Sequence, residues 1–404
     1  MNRKLAGALA LGLLGSASVL QAQDSGWIAA WTSPPIAYEP GIAEALGRPF
    51  ENETVRQTLW SNASGSALRV RLSNELADEA VTIGAATIAR VDQQGRIVPG
   101  TTWPLLFGNE RSVVIPGGAP YYSDPVGLPV AQGESLVVDI HYPSASEPPA
   151  HAQQVLVATG DQTGRANLED ARRARAPGIV SGIEVAGESG ARVLLAFGDS
   201  ITEGAAASTP RMSWPQQLQA LLAAAPAGRC WVVANAGISG NRLLHEGRGP
   251  AGLSRFDRDA LSQPGVRTIV LLEGINDIGT GDREGFGHEA ITADQVIDAY
   301  RQLIARAHAK GVRVIGGTLL PYEGAVYQSA EGEAKRQQVN EWIRSSGAFD
   351  AIIDFEQALQ DPDHPAQIEP SLQSGDQLHP SDAGYTRMAQ TAAPVILQDP
   401  CQLH

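Results

Sequence analysis

Ser200 follows an apolar run and carries a side chain that could attack an ester. Residues 193–197 are Val-Leu-Leu-Ala-Phe without alternation, which predicts a strand buried on both faces, and Gly198-Asp199-Ser200 comes directly after it. A serine hydroxyl becomes a good nucleophile when a base takes its proton and a third group holds that base in the right tautomer. His379, with Asp376 three residues before it, could fill these two roles. The residue types therefore predict nucleophilic acyl transfer.

Two further polar segments also come directly after apolar runs. Val232-Val233-Ala234 leads into residues 235–241 (Asn-Ala-Gly-Ile-Ser-Gly-Asn), and residues 268–272 (Thr-Ile-Val-Leu-Leu) lead into residues 273–277 (Glu-Gly-Ile-Asn-Asp). Attack on an ester creates an oxyanion, and preset N–H donors around it supply much of the rate. Since open α/β sheets place their chemistry at the carboxyl ends of the strands, we expect these segments to meet Ser200 there.

Four segments together resemble the signature blocks of the SGNH hydrolases, the GDSL esterase/lipase family. They are residues 197–202 (Phe-Gly-Asp-Ser-Ile-Thr), 235–241, 273–277 and 376–380 (Asp-Gln-Leu-His-Pro), and the resemblance covers roughly residues 191–397. The resemblance implies a flavodoxin-like three-layer fold and a catalytic triad of Ser200, Asp376 and His379.

The same resemblance implies an oxyanion hole made of the Ser200 N–H, a glycine N–H and the Asn276 amide. Gly240 is the expected glycine, because the family's glycine follows directly on the small residue of the Ser-Gly pair. Gly237 is the alternative, although a role in the tight exit from the strand suits it better.

Other Asp and His residues compete with this assignment. Asp361 and His364 have the same spacing as the pair in the last block, but they lie among prolines, whereas His379 directly precedes a helix cap. His245, His288 and His308 have no partner at a suggestive spacing and are expected to be solvated. The α/β-hydrolase alternative requires Gly-x-Ser-x-Gly, which does not occur in the sequence. A Rossmann fold requires Gly-x-Gly-x-x-Gly after a strand, and neither the strand before Ser200 nor the strand before Gly237 leads into this motif.

Strands and helices alternate through residues 191–404, the predicted SGNH hydrolase domain. After the Ser200 strand, helices are predicted over 214–225, 294–310 and 332–346, strands around Val232 and Ile269 and over 312–318 and 351–355, and a last helix from the Ser381 cap to about Leu397. This alternation predicts a parallel sheet that is covered on both faces.

Residues 23–190 show a period of two and almost no helical periodicity. Leu68, Val70 and Leu72 alternate with arginines, and further strands are predicted over 81–85, 112–115, 135–142, 154–158 and 179–185, between turns rich in Gly and Pro. The pattern predicts an all-β sandwich of jelly-roll type. Residues 165–177, rich in Ala and Arg, are interpreted as an excursion or short helix. Four aromatic residues could stack on sugar rings or pack in the core: Trp60, Trp103, Tyr121 and Tyr122.

Residues 1–22 have the pattern of a secretory signal peptide, with Arg3 and Lys4 before an apolar stretch too short to span a bilayer. We therefore expect a secreted or periplasmic protein without a membrane span. The 404 residues, 43% hydrophobic and 18% charged, suffice for two domains, and the net charge of −14 argues against nucleic acid as a partner. No cofactor or metal site is predicted, and the oligomeric state is left open.

Cys230 and Cys401 are expected to form a disulfide, with two unpaired buried thiols as the alternative. In a doubly wound sheet all helices end at the edge where the strands begin, and each cysteine lies just after a predicted helix. The strand order that the resemblance implies also puts the first and last helices on one face of the sheet.

The function expected from these features is hydrolysis of carboxylic esters through an acyl-enzyme. Acetyl groups on polysaccharide are the leading substrate, since export and the extra sandwich suit a glycan. A lipase or aryl esterase is the alternative within this chemistry. A carbohydrate-binding protein with an inactive hydrolase domain is the alternative from another class.

Overall fold

The computed structural model describes residues 26–37, 49–149, 151–187, 190–281, 283 and 285–401. The predicted signal peptide, residues 1–22, lies outside the described residues.

The strands before residue 190 pair in the antiparallel direction. They are β1 (Trp27–Thr32), β2 (Glu53–Trp60), β3 (Gly65–Asn74), β4 (Val81–Ile83), β5 (Ala85–Arg90), β6 (Trp103–Pro104), β7 (Val113–Ile115), β8 (Ala119–Tyr122), β9 (Ser135–Tyr142), β10 (Ala152–Thr159), β11 (Arg172–Pro177) and β12 (Val180–Gly187). One sheet has the order β1-β12-β3-β8, a second has the order β11-β10-β2-β9-β5-β6, and β4 pairs with β7. Apolar side chains of both large sheets share one buried core, so the predicted β-sandwich is confirmed.

The period-two pattern places side chains as expected on β3. Leu68, Val70 and Leu72 are buried, and Arg69 and Arg71 between them are only partly so. One local expectation is wrong: residues 172–177, interpreted as an excursion or short helix, form the edge strand β11, which pairs with β10. Its arginines suit an edge strand, because such a strand needs apolar residues on one face only and charges discourage further pairing.

A parallel sheet follows, built from β13 (Arg192–Gly198), β14 (Trp231–Gly237), β15 (Val266–Leu272), β16 (Arg313–Gly317) and β17 (Ala351–Ile353) in the order β14-β13-β15-β16-β17. Its helices are α1 (Ser200–Glu203), α2 (Trp214–Ala224), α3 (Gly252–Phe256), α4 (Ile275–Gly281), α5 (Ala293–His308), α6 (Ala330–Ser345), α7 (Phe355–Leu359) and α8 (Asp382–Ile396). This order is the flavodoxin-like one, and the predicted fold class is confirmed.

The sandwich packs against β14, which is the edge strand of the parallel sheet. Asn62 Nδ2 donates to the carbonyl of Val233 and Thr32 Oγ1 donates to that of Asn235, each at 2.7 Å. These contacts cover backbone groups that an open edge would leave unpaired.

The two cysteines meet at the edge where the parallel strands begin. Cys230 directly precedes β14, Cys401 follows α8, and their sulfur atoms are bonded. The Cys401 N–H also donates to the Ala227 carbonyl at 2.8 Å, so the chain end is held against the segment that follows α2. Within the described part of the chain, no helix is both long and apolar enough to cross a membrane.

Candidate active site

Ser200 begins α1 immediately after β13 reaches the carboxyl edge of the sheet. Gly198 is required at this exit, because a Cβ there would lie 2.2 Å from the Leu272 carbonyl oxygen. The side chain of Asp199 accepts the Ile201 N–H at 2.9 Å and so caps the helix. The hydroxyl of Ser200 is thus held on rigid backbone at the edge predicted from the sequence.

His379 approaches Ser200 from the segment before α8. The Ser200 hydroxyl lies 2.8 Å from His379 Nε2, and His379 Nδ1 lies 2.6 Å from Asp376 Oδ2. With the proton on Nδ1 donated to Asp376, Nε2 is free to accept the serine proton. The structure therefore brings together the three residues predicted for the triad.

Asp376 is held by the backbone of its own turn. Its Oδ1 accepts the N–H groups of Leu378 at 3.0 Å and His379 at 2.8 Å. Burial opposes the charge, but these donors and the His379 ring lower the pKa of Asp376 to about 2. Gln377 has a φ of 62°, a left-handed conformation that a non-glycine residue adopts at a cost, so the turn is strained to hold Asp376 against His379.

The predicted oxyanion donors lie on the neighbouring strand ends. Asn276 stands in the first turn of α4; its Nδ2 donates one hydrogen to the Asn241 carbonyl at 2.9 Å, which leaves its second N–H without an acceptor among the described residues. The Gly237 N–H is already taken by Asn235 Oδ1 at 2.8 Å. No described residue accepts the N–H of Gly240, so the geometry favours Gly240 over Gly237 as the second donor.

Gly240 has a φ of 74°, and a Cβ there would lie 2.8 Å from the Arg248 side chain. Both the backbone conformation and the space therefore require glycine.

Tyr327 is a site residue that sequence reasoning missed. Its hydroxyl donates to Asn276 Oδ1 at 3.1 Å, which fixes the orientation of the amide so that Nδ2 is the donating end. The ring packs on α4, where a Cβ on Gly279 would overlap it at 2.2 Å. Tyr327 lies in a segment without periodicity, so no local pattern could have identified it.

Arg255 joins the strand ends that carry the site. It is fully buried and donates to the carbonyls of Gly198 at 2.8 Å and Ala236 at 2.9 Å, and to Asn241 Oδ1 at 2.7 Å. Burial raises the pKa of the neighbouring Glu273 to about 7 and that of Asp199 to about 8. A single guanidinium thus holds β13, β14 and the loop of Gly240 in a fixed relation.

Glu203 links the helix of Ser200 to the Gly240 loop and to the sandwich. Its carboxylate accepts the Ser239 N–H at 2.5 Å and lies 2.9 Å from His151 Nε2. Burial opposes the charge, but His151 and Ser239 lower the pKa of Glu203 to about 2. No sequence pattern indicated this pair, since residues 151 and 203 belong to different halves of the chain.

The competing histidines lie elsewhere. Asp361 Oδ1 accepts the N–H groups of Asp363 and His364, so it closes a local bend. His308 pairs with Asp350 at 2.8 Å on the surface, and His288 is 73% exposed beside Glu289. Among the described histidines, the one within hydrogen-bond distance of the Ser200 hydroxyl is His379, not His245, His288, His308 or His364.

The aromatic residues that could stack on sugar rings do not form one surface patch: Tyr122, Trp103 and Trp60 have different surroundings. Tyr122 is already stacked by Arg69, whose guanidinium lies 4.5 Å from the ring centroid, and Trp103 is 42% exposed on the edge strand β6. Trp60 lines a cavity between the sandwich and the parallel sheet, together with side chains of both.

One family model matches part of the chain. The model of the GDSL-like lipase/acylhydrolase family matches residues 196–387. No curated protein matches the chain.

Solved structures similar to the chain cover about half of it. A member of the lipolytic G-D-S-L family from Veillonella parvula is 24% identical, with a TM-score of 0.38, over 51% of this chain and 98% of its own. A catalytic mutant of an acetylxylan esterase from Geobacillus stearothermophilus is 21% identical, with a TM-score of 0.41, over 51% and 94%. A carbohydrate acetylesterase from Sinorhizobium meliloti is 15% identical, with a TM-score of 0.39, over 51% and 99%.

Proposed function

We propose that this carboxylic ester hydrolase, whose residues 196–387 are a GDSL-like lipase/acylhydrolase domain, is an exported enzyme that removes acetyl groups from carbohydrate. The observation that carries the proposal is the hydrogen-bonded series from Ser200 through His379 to Asp376, at 2.8 and 2.6 Å. Both distances lie within the reach that proton transfer requires. A binding protein with an inactive hydrolase domain would have no need of this geometry.

In the acylation step Ser200 Oγ attacks the ester carbonyl carbon while His379 Nε2 takes the hydroxyl proton. The resulting imidazolium is stabilised by the Asp376 carboxylate, which stays charged because its pKa is about 2. His379 then gives the proton to the leaving sugar oxygen, the ester C–O bond breaks, and the acyl group stays on Ser200.

The negative charge that develops on the carbonyl oxygen needs donors that are already in place. The N–H groups of Ser200 and Gly240 and the free N–H of the Asn276 amide fill this role in our proposal. Arg255 and Tyr327 support it, since the first ties the two strand ends together and the second orients the amide. Such preset donors act without reorganisation during the reaction.

Deacylation repeats these steps with water as the attacking nucleophile. The water oxygen attacks the acyl carbon while His379 takes a proton from the water. The bond between the acyl carbon and Ser200 Oγ then breaks, and His379 gives the proton to Oγ. The products are a carboxylic acid and the regenerated serine.

Two aromatic side chains near the oxyanion donors suit a short acyl group. Tyr327 stands next to Asn276, and its ring lies 6.1 Å from that of the buried Tyr322, measured between centroids. In our proposal these aromatic rings limit the length of the acyl chain. Acetate is therefore the acyl group we propose.

Export and the domain division are part of the proposal. We assign residues 1–22 to a signal peptide, 23–190 to the sandwich and 191–404 to the hydrolase domain. Strand pairing changes from antiparallel to parallel between β12 and β13, which supports the division. The Cys230–Cys401 disulfide supports export, because such bonds persist mainly in oxidising compartments.

A lipase or aryl esterase is the second candidate. Val326, directly before Tyr327, is 91% exposed and offers an apolar contact near the oxyanion donors. The two functions differ in the acyl group and in the size of the alcohol.

The test is a panel of p-nitrophenyl esters of rising chain length, run beside acetylated xylan and xyloglucan, with the Ser200→Ala variant as control. We expect acetate release from the polymers and the fastest hydrolysis with the acetyl ester. A preference for longer acyl chains favours the lipase, and the absence of hydrolysis of every ester overturns the proposal.

A further inference from the structure

A cavity of about 640 Å³ lies between the sandwich and the parallel sheet. Its walls include residues of β2, β10 and β11 on one side, and Glu203 with residues of the segment from Gly204 to Gln216 on the other. The volume falls within the range of small-molecule sites, roughly 300–1,000 Å³. Ser200, His379 and Asn276 are not among its described lining residues, but Glu203 and Gly237 are, so the cavity adjoins the site described above without containing the nucleophile.

The charges around the cavity are opposite to the charge of the whole chain. Arg173, Arg175 and Arg211 line it, and among the lining residues that the structure describes Glu203 is the single carboxylate. Glu203 is already paired with His151. With histidines counted as neutral, three arginines against one carboxylate give a local net charge of +2, whereas the chain as a whole carries −14 on the same basis. Such a concentration of cations favours an anionic ligand.

None of these three arginines has a carboxylate partner among the described residues. Arg173 and Arg175 are exposed and stand two residues apart on β11, so they point to the same side of the sheet. Arg172, which points the other way, pairs with Glu53. The two unpaired guanidinium groups offer planar forks that match carboxylates.

Arg211 is fixed where it faces the cavity. Its guanidinium lies 5.0 Å from the centroid of the Trp60 ring, and its Nη2 donates to Ser135 Oγ at 3.0 Å. Trp60 is held in turn, since its Nε1 donates to Gln216 Oε1 at 2.8 Å. A cation placed on an aromatic ring and bonded only to neutral acceptors keeps donors available for a ligand.

Neutral groups of the kind that bind sugar hydroxyls lie between the charges. Gln153, Gln154 and Thr58 line the cavity, and the indole of Trp60 offers an apolar surface beside them. Amide and hydroxyl side chains can donate and accept, as hydroxyl groups of a sugar require.

We propose that this cavity, the interdomain cleft, binds an acidic oligosaccharide whose carboxylates pair with Arg173, Arg175 and Arg211. The choice of a sugar rests on the proposed function, and the site deepens it by making the substrate a uronate-bearing glycan. Gly204, in the wall of the cleft, comes one helical turn after Ser200. A polymer held in the cleft is thereby kept close to the nucleophile.

The test measures binding by calorimetry at physiological salt with two unesterified probes, tetragalacturonic acid and the neutral xylotetraose. The variant is Arg173→Gln/Arg175→Gln, and the matched control is Arg111→Gln/Arg387→Gln, which removes the same two charges from exposed positions outside the cleft. Because neither probe carries an ester, binding does not depend on hydrolysis. A failure of the proposed function on ester substrates therefore remains separate from this result.

We expect the acidic probe to bind at least tenfold more tightly than the neutral one. The cleft variant should lose about tenfold or more of this affinity, as expected for lost charge-assisted hydrogen bonds, and the control should stay within about twofold. Unchanged thermal unfolding of both variants shows that the loss is local. Equal binding of the two probes, equal losses in the two variants, or binding of the acidic probe weaker than about 1 mM overturns the proposal.

Discussion

Nε2 of His151 lies 2.9 Å from Oε1 of Glu203, which pairs a side chain of the sandwich with the helix that begins at Ser200. The other ring nitrogen, Nδ1, lies 3.2 Å from the Pro34 carbonyl oxygen. Both neighbours accept hydrogen bonds, so the ring donates from both nitrogens and carries a positive charge. Burial opposes this charge, but the Glu203 carboxylate raises the pKa of His151.

His151→Ala should lower the free energy of unfolding by about 3 kcal/mol near pH 6, since it breaks a largely buried pair. A pKa raised by folding adds stability that is fully present below the unfolded value of about 6.5 and is lost as the pH rises through the folded value. The deficit of the variant should therefore shrink towards pH 9. Denaturant unfolding at both pH values measures this loss of unfolding free energy.

The control is His308→Ala, which breaks an exposed pair and should lower the free energy of unfolding by less than about 1 kcal/mol. A pH-independent deficit would contradict the charged pair.

Ser200→Ala should abolish hydrolysis of p-nitrophenyl acetate and leave the unfolding transition unchanged, because it removes only the attacking oxygen. Ser254→Ala is the control, since the Ser254 hydroxyl donates to a backbone carbonyl within its own helix start. Residual activity above a few per cent in purified Ser200→Ala would rule out this nucleophile.

Asn276→Ala should lower kcat by about 10²–10³ with little change in KM, since its amide acts on charge that develops in the transition state. Tyr327→Phe removes only the hydrogen bond that orients this amide, so kcat should fall by roughly 2- to 10-fold. Steady-state kinetics on p-nitrophenyl acetate separates the two parameters. A defect chiefly in KM would make Asn276 a substrate-binding residue instead.

Asp376→Asn should lower kcat by up to about 10⁴, because an amide in place of the carboxylate favours the wrong tautomer of His379. Asp361→Asn should leave kcat within about twofold, since Asp361 accepts only local backbone N–H groups. Equal effects of the two substitutions on kcat would refute the assignment of the orienting carboxylate.

Cys230→Ser/Cys401→Ser should lower the free energy of unfolding by up to about 5 kcal/mol, because the bridge spans 171 residues and restricts the unfolded chain. Intact-mass measurement after alkylation, with and without reductant, reports the bond in the exported protein. Two thiols alkylated without reductant would show that the bridge does not form.

The amino-acid sequence by itself determined the parallel sheet and the position of the predicted triad. Apolar runs that stop at polar blocks place Ser200, Gly240 and Asn276 at the carboxyl ends of strands, and parallel strands bring those ends to one edge. Asp376 and His379 lie three residues apart, so their pairing depends on a single turn and could be predicted from the local sequence. The edge strand β11 was missed, because its alternating arginines carry no β-branched signal.

Only the tertiary structure decided which remote side chains support the site. Arg255, Tyr327 and the His151–Glu203 pair act through hydrogen bonds between segments far apart in the chain, and their energies depend on burial that no local pattern encodes. The same holds for the interdomain cleft, whose arginines come from an edge strand and from a loop after α1. Periodicity predicts which face of an element is buried, but the partner that buries it is chosen by packing of the whole chain.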